Sequence, residues 1–179
     1  GGREHALCTS IKKSTKVNQI FCLPGNAGTE TIAENVDIDL VNFEKIKDFI
    51  KEKNIDLAIV GPEKPLVDGL VDFLEKNNIK VFGPNQKASQ LEGSKIFTKN
   101  LCKKYKIPTA AFGVFENKKK AKVFLNGCKF PIVIKADGLA AGKGVYICET
   151  KSQSLNAVDE IFNGKFGKAD QVLIEEFLK

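Results

Sequence analysis

The residues with the most chemistry in this sequence form one run, Lys135-Ala136-Asp137-Gly138-Leu139-Ala140-Ala141-Gly142-Lys143-Gly144-Val145. Three Gly and three Ala leave the backbone unobstructed. Its N–H groups can approach phosphate oxygens closely, and Lys135 and Lys143 supply counter-charge. The run is not a Walker A loop. Gly144 follows Gly142-Lys143 where Ser or Thr would be needed, and a strand follows where a helix would be. A plain flexible hairpin is the alternative. Lysines at both the strand end and the loop favour phosphate binding.

Three other constellations are weaker. Glu175-Glu176-Phe177-Leu178 ends a strand-like run, where backbone groups can pair with a purine edge and apolar side chains can cover the ring; equally, either Glu can be solvated. Gly1-Gly2-Arg3-Glu4-His5 opens a helix, whose free N–H groups favour an anion. His5 is the single His of the chain, and a lone His is more often structural than catalytic. Pro24-Gly25-Asn26-Ala27-Gly28-Thr29 and Gly61-Pro62-Glu63-Lys64-Pro65-Leu66 both follow apolar strands, so both belong on one rim of a sheet, with Glu63 presented there. Turn chemistry alone explains their Pro, Gly and Asn equally well.

The elements that must position these groups come in two styles. Up to about residue 84, helix-like stretches (3–14, 42–53, 66–77) alternate with short apolar strands (17–23, 55–60, 80–82). That rhythm predicts a doubly wound parallel sheet, with ligands beyond the carboxyl ends of its strands. Gly1-Gly2 opens a helix as though a strand came before it, so the first strand is expected to be missing. Somewhere between residues 85 and 108 the character changes. Helix 95–106, strand 109–115, helix 118–126, strands 131–135 and 145–148 around the Gly-rich loop, helix 152–163 and strand 171–177 predict a small α+β unit.

Composition limits the function classes. Of 179 residues, 42% are hydrophobic and 28% charged, as in ordinary globular chains, and no apolar run is long enough for a membrane helix. The net charge of +6 invites a nucleic-acid reading, but of 28 basic residues only Arg3 is an arginine. The lysines sit beside Glu and Asp on helix-like stretches, as solvated faces do. No nucleic-acid or membrane partner is therefore expected. The five cysteines form no CxxC pair, and Cys22 and Cys148 lie in apolar runs that bury thiols; a reducing cytoplasm fits.

Gly1–Leu7, Pro24–Thr29, Val60–Leu66, Gln90–Lys95 and Lys135–Val145, taken in this order, resemble the phosphoribosylamine–glycine ligase (glycinamide ribonucleotide synthetase) family of ATP-grasp enzymes. The resemblance implies a pre-ATP-grasp, Rossmann-like domain over 1–93 and the start of an ATP-grasp domain, with its small subdomain, over 94–179. It implies an ATP-dependent carbon–nitrogen ligase of purine biosynthesis. Glycine would be joined to 5-phosphoribosylamine through a glycyl phosphate. On this reading Lys95 and Lys135 contact ATP phosphates, Gly138, Gly142, Lys143 and Gly144 belong to a mobile loop over them, and Glu175, Glu176, Phe177 and Leu178 match the adenine hinge. Gly2, Glu4, His5, Gly25, Asn26, Gly28 and Glu63 fall on the phosphoribosylamine side. The family's Mg2+ ligands, a Glu and an Asn, are expected beyond Lys179, so no metal ligand and no catalytic residue is assigned here, and the segment alone is expected to be inactive. Other ATP-grasp carboxylate–amine ligases, or a non-catalytic nucleotide-binding module, are the alternatives. The Gly-Gly-Arg-Glu-His-Ala and Pro-Gly-Asn-Ala-Gly runs disfavour the first, and the intact lysines disfavour the second. A dehydrogenase has only Gly1-Gly2 in its favour.

Overall fold

Short apolar runs alternating with amphipathic helices fold into parallel strand pairs in the first part of the chain. The computed structural model describes residues 1–139, 143–167 and 169–178. It divides into two compact units, Gly1–Ser89 and Gln90–Lys179.

In the first unit the order is α1 (Gly2–Ile11), β1 (Phe21–Cys22), a 3-10 turn (Thr29–Thr31), β2 (Glu34–Asn35), α2 (Phe43–Glu52), β3 (Ala58–Ile59), α3 (Glu63–Asp68), α4 (Leu70–Lys76) and β4 (Val81–Phe82). β1 pairs with β2 and β3 with β4, both parallel, as the alternation predicts. The regular ladders are two residues long, shorter than the apolar runs, and among the described residues each of these sheets is two-stranded. β2 escapes sequence reading, since Glu34-Asn35 has neither alternation nor β-branching. Asn42 caps α2 by accepting the Lys45 N–H at 3.0 Å. Ile46 and Ile50 of α2 then pack with Val60, Leu70, Val71, Leu74 and Ile79 in the core of this unit.

The helix expected over 66–77 is two helices. Gly69 has φ +96°, which ends α3 in the left-handed conformation and opens α4. Glu63-Lys64-Pro65 is the first turn of α3, not a loop: a first-turn proline gives up no helical hydrogen bond.

α5 (Gln86–Gly93), which the sequence reading left unassigned, carries the chain into the second unit. There follow α6 (Lys95–Tyr105), β5 (Phe112–Phe115), α7 (Lys118–Leu125), β6 (Ile132–Ala136), β7 (Val145–Cys148), α8 (Lys151–Phe162) and β8 (Val172–Glu176). The strands form one antiparallel sheet in the order β5-β8-β6-β7. Strand alternation divides its side chains. Ile132, Ile134 and Ala136 of β6, with Val172 and Ile174 of β8, pack with Ala121, Leu125, Ala157, Val158 and Ile161 of α7 and α8. Lys135 and Glu175 belong to the other set. Lys135 is opposite Leu173 and Glu175 is opposite Val133, so the two are diagonal neighbours across adjacent strands. Cys22 and Cys148 are buried, as their apolar surroundings predict. No helix among the described residues is long and apolar enough to cross a membrane.

Candidate functional site

In the second unit, strand alternation alone would aim the Lys135 ammonium and the Glu175 carboxylate at the same space, and they form an ion pair through Oε1. Oε2 meets Lys99 Nζ at 2.5 Å, without the alignment of a hydrogen bond. Glu175 is only 6% exposed. Burial alone would push its carboxyl up, but the ammoniums of Lys135 and then Lys99 outweigh this and hold it below the ordinary range. Glu175 is therefore not solvated. Its carboxylate fixes lysines, which leaves any purine contact to the backbone of this segment.

The base of the Gly-rich hairpin is tied to the start of α6. Ser94 accepts the Phe97 N–H at 3.0 Å as the N-cap. Its hydroxyl lies 2.9 and 3.1 Å from the two carboxylate oxygens of Asp137, which also accepts the Ile96 N–H at 3.1 Å. One carboxylate thus satisfies helix-terminal donors and complements the helix dipole. Lys95, next to the cap, donates to the Gly138 carbonyl at 2.7 Å. Gly138 has φ +88°, a conformation natural to glycine. At the other end of the hairpin the Gly144 carbonyl accepts the Ala136 N–H at 2.8 Å. Lys143 is exposed. Gly142 lies outside the described residues.

After Glu175 the chain continues along β5. Glu176 N–H donates to the Ala111 carbonyl at 2.9 Å, while its carboxylate accepts the Ala111 N–H at 2.8 Å. Phe177 and Leu178, beyond the strand, are exposed.

In the first unit, the first turn of α1 touches both rim loops. Asn26 Nδ2 donates to the Gly1 carbonyl at 3.3 Å. A Cβ on Gly28 would lie 3.2 Å from His5 Cγ. Arg3 donates to the Gly61 carbonyl at 3.1 Å and pairs with Glu63 at 2.7 Å. That guanidinium holds the Glu63 carboxyl below its usual range. The Glu4 carboxylate lies 2.5 Å from the Gly1 backbone nitrogen. Gly2, Glu4, His5, Asn26, Gly28 and Glu63 are thus gathered at one end of the unit. Asn26 Oδ1 is already committed to its own loop, accepting the N–H groups of Gly28 at 2.8 Å and Thr29 at 3.2 Å. An open groove of about 580 Å³ runs beside Pro24 and Pro62. Its lining includes Asp37, Asp39 and Asp68, and its Lys64 donates to Asp68 at 2.7 Å, so it suits a phosphate poorly.

Gly25 plays a backbone role. Its φ is +85°, and an added Cβ would lie 2.1 Å from Asn35 Oδ1, whose amide nitrogen donates to the Asn26 carbonyl at 2.9 Å. Gly25→Ala should destabilise the protein by about 1–3 kcal/mol through left-handed strain, with added cost from the clash. Urea unfolding of the two proteins measures this; equal midpoints would refute it.

Comparison with known proteins decides the lineage. Residues 1–92 match the phosphoribosylglycinamide synthetase N domain, and residues 93–179 match the ATP-grasp (A) domain of the same family. The chain belongs to the phosphoribosylglycinamide synthetase family. It is 50% identical over 179 residues to the phosphoribosylamine–glycine ligase of Brucella melitensis, covering 99% of this chain and 42% of that protein. The crystal structure of phosphoribosylamine–glycine ligase from Thermotoga maritima is 31% identical and superposes with a TM-score of 0.79, over 100% of this chain and 42% of the other. The chain therefore spans 42% of the length of these relatives. The biotin carboxylase domain of Hydrogenobacter thermophilus 2-oxoglutarate carboxylase, solved with MgADP, shares the fold at 21% identity and a TM-score of 0.72, over 96% of this chain and 42% of that one.

Within this synthetase-family chain, sequence reasoning overlooked three polar residues. Lys99 follows Lys95 at helical i, i+4 spacing, the one local signal that could have found it. Asp137 lay inside the Gly-rich run without a role. Arg3 lay beside the assigned Gly2 and Glu4, and only the fold brings it to Glu63.

Proposed function

We propose that this chain supplies the ATP-phosphate site and the phosphoribosylamine-facing loops of a phosphoribosylamine–glycine ligase, divided at 93/94 into a pre-ATP-grasp domain and the start of an ATP-grasp domain. Family membership supports the reading. The observation that carries it is the placing of two lysines at the hairpin base, with Lys95 on the Gly138 carbonyl and Lys135 on a buried carboxylate. Such fixed cations suit a polyphosphate. Lys95, Lys135, Lys143 and the N–H groups of Gly138, Gly142 and Gly144 would face phosphate oxygens, and the backbone of Glu175–Leu178 would take the adenine. Gly2, Glu4, His5, Gly25, Asn26, Gly28 and Glu63 would serve the phosphoribosylamine side.

In the proposed reaction a glycine carboxylate oxygen bonds to the γ-phosphorus of ATP as the bond to ADP breaks. The ribosylamine nitrogen then attacks the acyl carbon and expels phosphate. Phosphorylation turns a poor leaving group into a good one, and the chain's residues contribute positioning and charge neutralisation. Mg2+ would supply charge neutralisation to the phosphates in such chemistry. Among the described residues no three His, Cys, Asp or Glu side chains are grouped to hold a metal ion, so none is assigned to it. A cytoplasmic setting agrees with five unpaired thiols.

The full-length protein, given ATP, Mg2+, phosphoribosylamine and glycine with heavy oxygen in its carboxylate, should transfer one heavy oxygen to each inorganic phosphate released. Phosphate without the label would exclude the glycyl phosphate.

A further inference from the structure

The buried ion cluster around Glu175 contains a lysine that the proposed chemistry does not use. Lys99 stands one helical turn after Lys95 on α6, so both ammoniums leave the same side of the helix. The Lys99 side chain is 13% exposed. Its Nζ meets Glu175 Oε2 at 2.5 Å, donates to Thr109 Oγ1 at 2.7 Å, lies 3.4 Å from the Ala110 carbonyl and sits 5.5 Å from the Phe112 ring centroid. Lysines without such partners extend their ammonium to water. This one is held inward, on the oxygen of Glu175 opposite the one that holds Lys135.

We propose that Lys99 is a positioning residue for nucleotide binding: it shares the charge of Glu175, so that Lys135 is held in place yet keeps positive charge for a polyphosphate. The proposal rests on the phosphate role given above to Lys135. The charge balance carries it. Two ammoniums and one carboxylate leave the cluster with a net charge of +1. Without Lys99 the cluster is neutral, and a phosphate must compete with a buried carboxylate for one ammonium. Salt screens such a buried pair poorly, so solvent does not relieve the competition. Thr109, Ala110 and Phe112 fix the Lys99 ammonium independently of Glu175, which makes it a support and not a second mobile counter-ion.

The test is calorimetric titration of the full-length protein with ATP and, separately, adenosine. In Lys99→Gln, ATP affinity should fall about tenfold, the factor that ~1.4 kcal/mol represents, while adenosine affinity stays unchanged. Lys99→Arg should restore ATP affinity, because the charge is kept. Lys99→Gln combined with Glu175→Gln should also restore it, since Lys135 regains an uncompensated charge. The double variant keeps the test decisive if Lys99→Gln fails to fold, because it removes the buried carboxylate along with its counter-ion. Unchanged ATP affinity in Lys99→Gln, equal losses for ATP and adenosine, or a double variant that binds ATP no better than about tenfold below wild type would each overturn the proposal. If the wild-type protein does not bind ATP at all, the phosphate reading of the site fails, and that outcome is distinct from any difference between variants.

Discussion

Lys135→Met should lower turnover of the full-length protein by about 10²–10³-fold, the usual cost of losing one fixed group that stabilises developing charge. The fold should survive the change. Glu175, the buried partner of Lys135, keeps Lys99 at 2.5 Å and is not left alone in the interior. Methionine also preserves much of the packing of the lysine stem on β6. Circular dichroism should therefore report a near-native thermal transition, while steady-state assays report the loss. Since Lys135 would hold phosphate charge in the ground state and hold it more strongly as charge develops in the transition state, ATP affinity and kcat should both fall. Wild-type turnover by a folded Lys135→Met protein would remove Lys135 from the phosphate site.

Glu175→Gln should do the opposite: it should lower stability, in a way that depends on pH. At neutral pH the substitution leaves two ammoniums, 13% and 26% exposed, without their shared carboxylate. The expected cost is about 3 kcal/mol, near the low end for breaking a buried pair, because Lys135 keeps some water. The sign of the pH effect follows from the lowered native pKa of Glu175. A carboxylate of this kind stabilises the fold fully above its unfolded value, near 4.5, and loses that contribution as pH falls through its lower native value. The stability gap between wild type and Glu175→Gln should thus be constant above about pH 6 and shrink progressively below pH 4.5, once wild-type Glu175 begins to be protonated in the unfolded chain. Urea melts across this range measure it. A gap that does not change with pH would mean that the Glu175 charge is not the stabilising element.

These two residues also show what a sequence can and cannot disclose. The continuous apolar run Pro131-Ile132-Val133-Ile134 predicts β6, whose two-residue period puts Lys135 on the face away from Ile132 and Ile134, and Val145–Cys148 is read without error as β7. Ser94 before Lys95 signals the N-cap of α6. The partner of Lys135 is another matter. Glu175 comes 40 residues later, and only the order β5-β8-β6-β7 makes the two neighbours. Strand periodicity assigns faces but not strand order, so Glu175 was grouped with the hinge and its buried charge was invisible. Lys99 was hidden for a related reason: in a lysine-rich chain, helix-face lysines are mostly solvated, and the i, i+4 spacing from Lys95 marks a shared side of the helix but not burial. In the first unit, the Gly69 break was legible in principle, yet a continuous apolar stripe through Leu66, Leu70 and Leu74 argued for one helix. β2 has no pattern to read; its Glu34 and Asn35 are strand residues because Phe21 and Cys22 lie alongside.

The most direct measurement for the whole account is a crystal structure of the full-length protein with a non-hydrolysable ATP analogue. The β- and γ-phosphate oxygens should lie within hydrogen-bond reach of Lys95 Nζ and Lys135 Nζ, with the adenine edge on the backbone of Glu175–Leu178. A nucleotide bound elsewhere, with Lys95 still on the Gly138 carbonyl and Lys135 engaged by Glu175 alone, would contradict it.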